Sequence, residues 1–86
     1  MMNVDKGKAT KESVIKLIRD MNNFRTIVLE ELRYMKQKAE GLGDSWNDIQ
    51  YKQFLDFIAD LEESLQKDLE VVEAAEEHLE YKLTLF

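Results

Sequence analysis

The chemistry open to this chain turns first on His78, its one histidine, which stands among Glu76, Glu77 and Glu80. Imidazole and carboxylate are bundle metal ligands. A di-iron bundle needs a glutamate three residues before the histidine, so that both project from one helical face. That position is Ala75, so the pattern fails. There is no cysteine, which removes thiolate nucleophiles, thiolate metal ligands and disulfides together. Ser13, Ser45 and Ser64 lie far from His78 in the sequence. An antiparallel hairpin would carry Ser13 and His78 toward the same end, yet no third group is placed to orient the imidazole. The stretch 41-GLGDSW-46 lacks the lysine and the spacing of a phosphate-binding loop. Glu62 and Glu63 are adjacent, and adjacent residues on a helix do not face each other. These residues predict no catalytic, metal or cofactor site, and a non-enzymatic role.

The elements that would position any site are two long helices. The chain has 86 residues, enough for one small domain over 1–86, and no proline to break a helix. In the first half Val14, Leu17, Ile18, Met21, Phe24, Val28, Leu32, Met35, Ala39 and Leu42 recur mostly at steps of three or four. That is the period of one helical stripe. Thr10 is the expected N-cap and Glu12 suits the first turn. Lys36 and Lys38 suit the last turn, and Gly41 stands where a left-handed C′ residue is expected. The spacing predicts a helix over roughly 10–40. In the second half Phe54, Phe57, Ile58, Leu61, Leu65, Leu69, Val72, Ala75, Leu79, Leu83 and Phe86 repeat the pattern. Asp60, Glu62, Glu63, Lys67, Glu70, Glu73, Glu77 and Glu80 read as its solvated face. This predicts a second helix over roughly 48–84, after a turn over 41–47.

Charge is uneven. Residues 1–40 hold nine Lys/Arg and six Asp/Glu, whereas residues 41–86 hold three and twelve. An acidic second half argues against nucleic acid, whose phosphates need a basic surface. No apolar run approaches the ~20 residues that span a bilayer, so stable membrane insertion is not expected. The opening 1-MMNVDKGKATKE-12 has no apolar stretch of the signal-peptide kind. The expectation is a protein made in the cytoplasm. If it is secreted, the route needs no cleaved leader.

The fold class expected is all-α, an antiparallel two-helix hairpin. Both stripes are too broad for one hairpin to cover, and small chains are short of burial. Two hairpins are therefore expected to pack into a four-helix bundle. Val14, Leu17, Met21, Phe24, Val28, Phe54, Phe57, Leu61, Leu65, Leu69 and Val72 are the candidate dimer or partner interface. Met21 and Met35 read as ordinary core filling.

The turn carries the one tryptophan, Trp46, followed by Asp48, which can cap the second helix through the N–H of Gln50 or Tyr51. The indole either folds back over Gln50 and Leu42 to close the hairpin end, or faces a recognising protein. Trp46, Asp48 and Tyr51 are the candidate recognition residues. A short helical hairpin with a tryptophan in its turn resembles the WXG family, the early-secreted-antigen-like proteins of type VII secretion. The local pattern is Trp46-Asn47-Asp48, where the family has glycine in the third position. Variants with Trp-x-Asp followed by Tyr and Phe are similar to Trp46, Asp48, Tyr51 and Phe54. The resemblance implies a secreted substrate or an escort for one. It would pair as a homodimer, or as a heterodimer with a similar hairpin or a helical toxin N-terminus. The family's Tyr-x-x-x-Asp/Glu export signal is missing: Tyr51 is followed four on by Leu55, and Tyr81 by Leu85. That absence leaves export to a paired member or to a tail outside this sequence. The alternative is a cytosolic coiled-coil adaptor or antitoxin-like binding protein.

Overall fold

The computed structural model describes residues 10–86. The reading of the first residues as no leader falls, for 1–9, outside them. Two helices fill the described residues: α1 runs Lys11–Gly41 and α2 runs Ile49–Leu83. A single 3-10 turn, Leu42–Asp44, begins the connection. The helices pack against each other as a hairpin, and no strand occurs among the described residues. The molecule measures 59 × 25 × 17 Å. Its length fits α2, whose 35 residues span about 52 Å at 1.5 Å each.

Each helix starts on a cap chosen by side-chain chemistry. The Thr10 hydroxyl accepts from the Ser13 N–H at 3.0 Å, and the Ser13 hydroxyl oxygen accepts from the Thr10 N–H at 3.1 Å. This reciprocal box satisfies two otherwise orphaned donors. Asp48 caps α2 by accepting from the Tyr51 N–H at 3.0 Å. The end of α1 differs from expectation. Gly41 is helical (φ −63°, ψ −24°), so it is no left-handed C′ residue. The chain tightens instead into the 3-10 turn, with the Ser45 and Trp46 N–H groups donating to the Leu42 carbonyl.

Packing follows a strict alternation of four-residue and three-residue steps. In α1 the seam is Val14, Ile18, Met21, Arg25, Val28, Leu32, Met35 and Ala39. In α2 it is Tyr51, Leu55, Ile58, Glu62, Leu65, Leu69, Val72, Glu76, Leu79 and Leu83. Every one of these residues is buried or half-buried. Elsewhere on the two helices only Lys36 and Phe54 are not exposed. This is the 3.5-residue repeat of a coiled-coil seam. The apolar stripes read from the sequence mix this seam with a second face. Leu17, Phe24, Phe57, Leu61 and Ala75 fall outside it and are exposed. The reason is arithmetic: a stripe spanning more than a seam also touches the neighbouring heptad positions.

The core is thin. Val14, Leu32, Ala39, Tyr51 and Leu69 are its buried apolar members, and among the described residues no side chain is fully enclosed. Two helices offer each seam residue a partner on one side only. No helix among the described residues is long and apolar enough to cross a membrane.

Candidate functional site: the turn, the seam and the two flanks

The turn is built around Tyr51 rather than around the tryptophan. The Tyr51 hydroxyl donates toward the Ala39 carbonyl at 2.9 Å and lies 3.1 Å from the Glu40 carbonyl. It thereby adds a side-chain donor to two carbonyls at the end of α1 that also receive the Leu42 N–H. The ring passes so close to Gly43 that a Cβ there would sit 3.1 Å from the hydroxyl oxygen and 3.3 Å from a ring carbon. A side chain there would need Tyr51 to give by a few tenths of an ångström, which favours glycine. Trp46 lies over this plug. Its ring centroid is 5.2 Å from that of Tyr51 and 5.9 Å from that of Phe54, the latter pair stacked at 29°. Such aromatic pairs add about 0.5–1.5 kcal/mol beyond area burial. The indole is half-buried and packs on Tyr51 and Phe54.

Farther from the turn the seam turns polar. Arg25 and Glu76 occupy facing seam positions and form a bidentate pair: Nε meets Oε2, and Nη2 meets Oε1 at 3.0 Å. Glu76 is 5% exposed, and Glu73 adds a longer contact to Arg25 at 3.9 Å. The Arg25 hydrogen bonds hold the Glu76 carboxyl below the ordinary carboxylate range, against a burial effect that raises it. The Glu76 hydrogen bond raises the Arg25 guanidinium in turn. Nearer the turn, Lys36 Nζ meets Glu62 Oε2 at 2.8 Å, and this hydrogen bond raises the lysine. From the sequence, Glu62 reads as part of the solvated face and Glu76 as a neighbour of His78. Both instead sit in the seam, paired to cations. Arg25 escaped the sequence reading altogether. A strict 3.5-residue count from Val14 would have landed on it.

The seam divides the hairpin surface into two flanks. Residues that follow a seam residue lie on one side. Leu29 and Lys36 of α1 line a groove there with Gln66 of α2, and Leu29, Gln66 and Glu73 line the next. This flank carries Arg19, Arg33 and Lys36 from α1 and Glu63, Glu70, Glu73, Glu77 and Glu80 from α2. Residues that precede a seam residue lie on the other side. They include Leu17, Phe24, Ile27, Tyr34, Phe57, Leu61 and Val71, all exposed, with Phe57 at 71%. The first flank shows only Ile15 and Leu29 as exposed large apolar residues of this kind.

The candidate residues therefore separate into three groups. Val14, Met21, Val28, Leu65, Leu69 and Val72 face the partner helix of the same chain. Leu17, Phe24, Phe57 and Leu61 line the apolar flank. Trp46, Asp48, Tyr51 and Phe54 gather at the turn. The Ser13 hydroxyl donates to the Thr10 carbonyl at 2.8 Å and belongs to the cap of α1. Among the described residues no group of three or more His, Cys, Asp or Glu is placed to hold a metal ion. No family model, curated protein or solved structure matches this chain.

Proposed function

We propose that this chain is a non-enzymatic interaction module that completes its core by laying one flank against another helical protein. Pairing of two such hairpins gives a four-helix bundle, in which every helix gains neighbours on two sides. One observation carries this reading: seven large apolar side chains stand exposed on one flank, against two on the other. Large apolar side chains gathered on one exposed flank are surface of the kind that marks interaction sites in soluble proteins.

Within that reading we place the chain with the WXG-like hairpins, as a small type VII secretion substrate or the escort of a larger one. It would be made in the cytoplasm and exported without a cleaved leader. Support comes from the start of α2, where Asp48 of Trp46-Asn47-Asp48 is the N-cap. Aspartate and glycine are both accepted at that position. A second reading, a cytosolic adaptor or antitoxin-like binder, draws on the packing of Trp46. An indole stacked on Phe54 closes its own turn and presents less of itself to a receptor.

Light scattering of the full chain, alone and with neighbouring gene products, tests the module itself. The expected result is a stoichiometric complex that Phe57→Glu abolishes while helicity is kept. A wild-type chain that stays monomeric with all of them rules the module out. Export in the producing cell then separates the two readings. Trp46→Ala should reduce export more than pairing if the chain is a secretion substrate. Absence of the wild-type chain from the exported fraction leaves the cytosolic adaptor.

A further inference from the structure

The apolar flank is interrupted near its middle by two carboxylates. Glu31 precedes the seam residue Leu32, and Asp68 precedes Leu69, so both stand on this flank. Their levels along the hairpin coincide. Lys36 meets Glu62 and Arg25 meets Glu73 and Glu76, which places position 31 opposite position 68. Neither has a cation three or four residues away on its own helix: Glu31 is flanked by Ile27, Val28, Tyr34 and Met35. Asp68 is flanked in the same way by Ser64, Leu65, Val71 and Val72. Among the described residues no salt bridge reaches either acid. The other charges on this flank are Asp20, Lys38 and Lys82. The strong acidic field of α2 lies on the opposite flank.

A second copy is a poor occupant of such a surface. Glu31 is 20 residues from Lys11 and 13 from Asp44, so it sits within about 5 Å of mid-length at 1.5 Å per residue. A second hairpin laid on the flank in either direction would bring its own two acids within about 10 Å of these, inside an apolar contact. That distance is no longer than the screening length at moderate salt, and loss of water weakens screening further. Four carboxylates would then share one dehydrated belt, in which the nearest flank cation, Lys38 of each copy, stands about 10 Å along the helix from Glu31. Opposite charge at that level reverses the sign of the interaction and selects the partner.

We infer that the apolar flank takes an amphipathic helical partner other than this chain, one carrying Lys or Arg at the middle of its apolar face, opposite Glu31 and Asp68. This rests on the reading of the chain as an interaction module and adds the chemistry of the partner.

A charge-reversed copy of this chain serves as the probe. Glu31→Lys combined with Asp68→Lys presents the same apolar flank with two cations at its centre. Both positions are exposed, so helicity should be unchanged by circular dichroism. Sedimentation equilibrium of wild type, of the reversed chain and of their mixture gives three association constants. The mixed complex should form at least about tenfold more tightly than either self-complex, a preference of roughly 1.4 kcal/mol. That preference should shrink as salt is raised. Phe57→Glu in the wild-type chain should remove the mixed complex, which ties it to this flank. Self-association of wild type as tight as the mixed complex overturns the inference, with a second copy as occupant and the module reading intact. Absence of any association in all three samples at about 100-fold above a micromolar Kd overturns the inference, and the module reading falls with it where the chain also stays monomeric with the neighbouring gene products.

Discussion

The hairpin is held at its turn and along its outer half by opposite kinds of chemistry. At the turn, Tyr51, Trp46 and Phe54 form a neutral aromatic cluster, and the one strong polar link runs from a phenol to backbone carbonyls. Farther out, the seam passes through a bidentate guanidinium–carboxylate pair. The first kind of contact is indifferent to salt and to pH across the physiological range. The second depends on both partners staying ionised, and a buried pair repays its loss of hydration only when geometry is good. Stability near the turn therefore comes from shape. In the outer half it comes in part from charge, which adds little net energy and much selectivity.

Substitutions separate these two regimes. Tyr51→Ala should have the largest effect, about 3–5 kcal/mol by urea unfolding, since it removes a buried ring and the cap of α1 together. For a hairpin with so thin a core, that loss leaves little folded protein. Glu76→Leu should come next, because it leaves Arg25 facing the seam without its partner. Pairing it with Arg25→Leu should recover most of the loss. A double variant no better than the single one would show that the ion pair itself, and not the stranded cation, matters.

Acid should act first on the outer half. Glu76 has a folded-state value below its unfolded one, so the native state binds fewer protons there. Its contribution is fully present above the ordinary carboxylate value of about 4.3 and is lost as pH falls through the lower folded value. Hydrogen exchange at acid pH should therefore release amides around Arg25 and Glu76 before those around Ala39 and Tyr51. Glu76→Gln should flatten this acid limb. Uniform release along both helices would erase the distinction between the two regions.

Smaller changes sharpen the picture of the turn. Gly43→Ala should cost about 1 kcal/mol, because its Cβ would press on the Tyr51 hydroxyl at 3.1 Å. Asp48→Ala should cost about the same through loss of the α2 cap, measured as a shift in the urea midpoint. Asp48→Asn should cost less.

The two helices were legible because the chain has no proline and repeats its apolar residues at helical spacing over both halves. Thr10 and Asp48 could be read as caps for the same kind of local reason. Which face meets which was not legible from hydrophobicity. Phe24 outranks Arg25 on any such scale, yet Arg25 is the one in the seam and Phe24 is 54% exposed. The 3.5-residue count places Arg25, Glu62 and Glu76 correctly, but only if charged residues are allowed into it. At the turn, a tryptophan draws attention by its rarity. The role of Tyr51 depends on a hydroxyl reaching carbonyls 11 and 12 residues back, which no local pattern announces.

The facing positions of Arg25 and Glu76 also bear on how the chain finds its own alignment. Sliding one helix past the other by a single heptad would set Arg25 against Leu69 or Leu83, and Glu76 against Leu32 or Ile18. Every such misaligned intermediate strands two bare ions in hydrocarbon, whereas the leucine-rich remainder of the seam would tolerate the slip. The pair thus acts as a proofreading tooth: it disqualifies shifted zippers, and it rejects foreign helices that lack the matching ion.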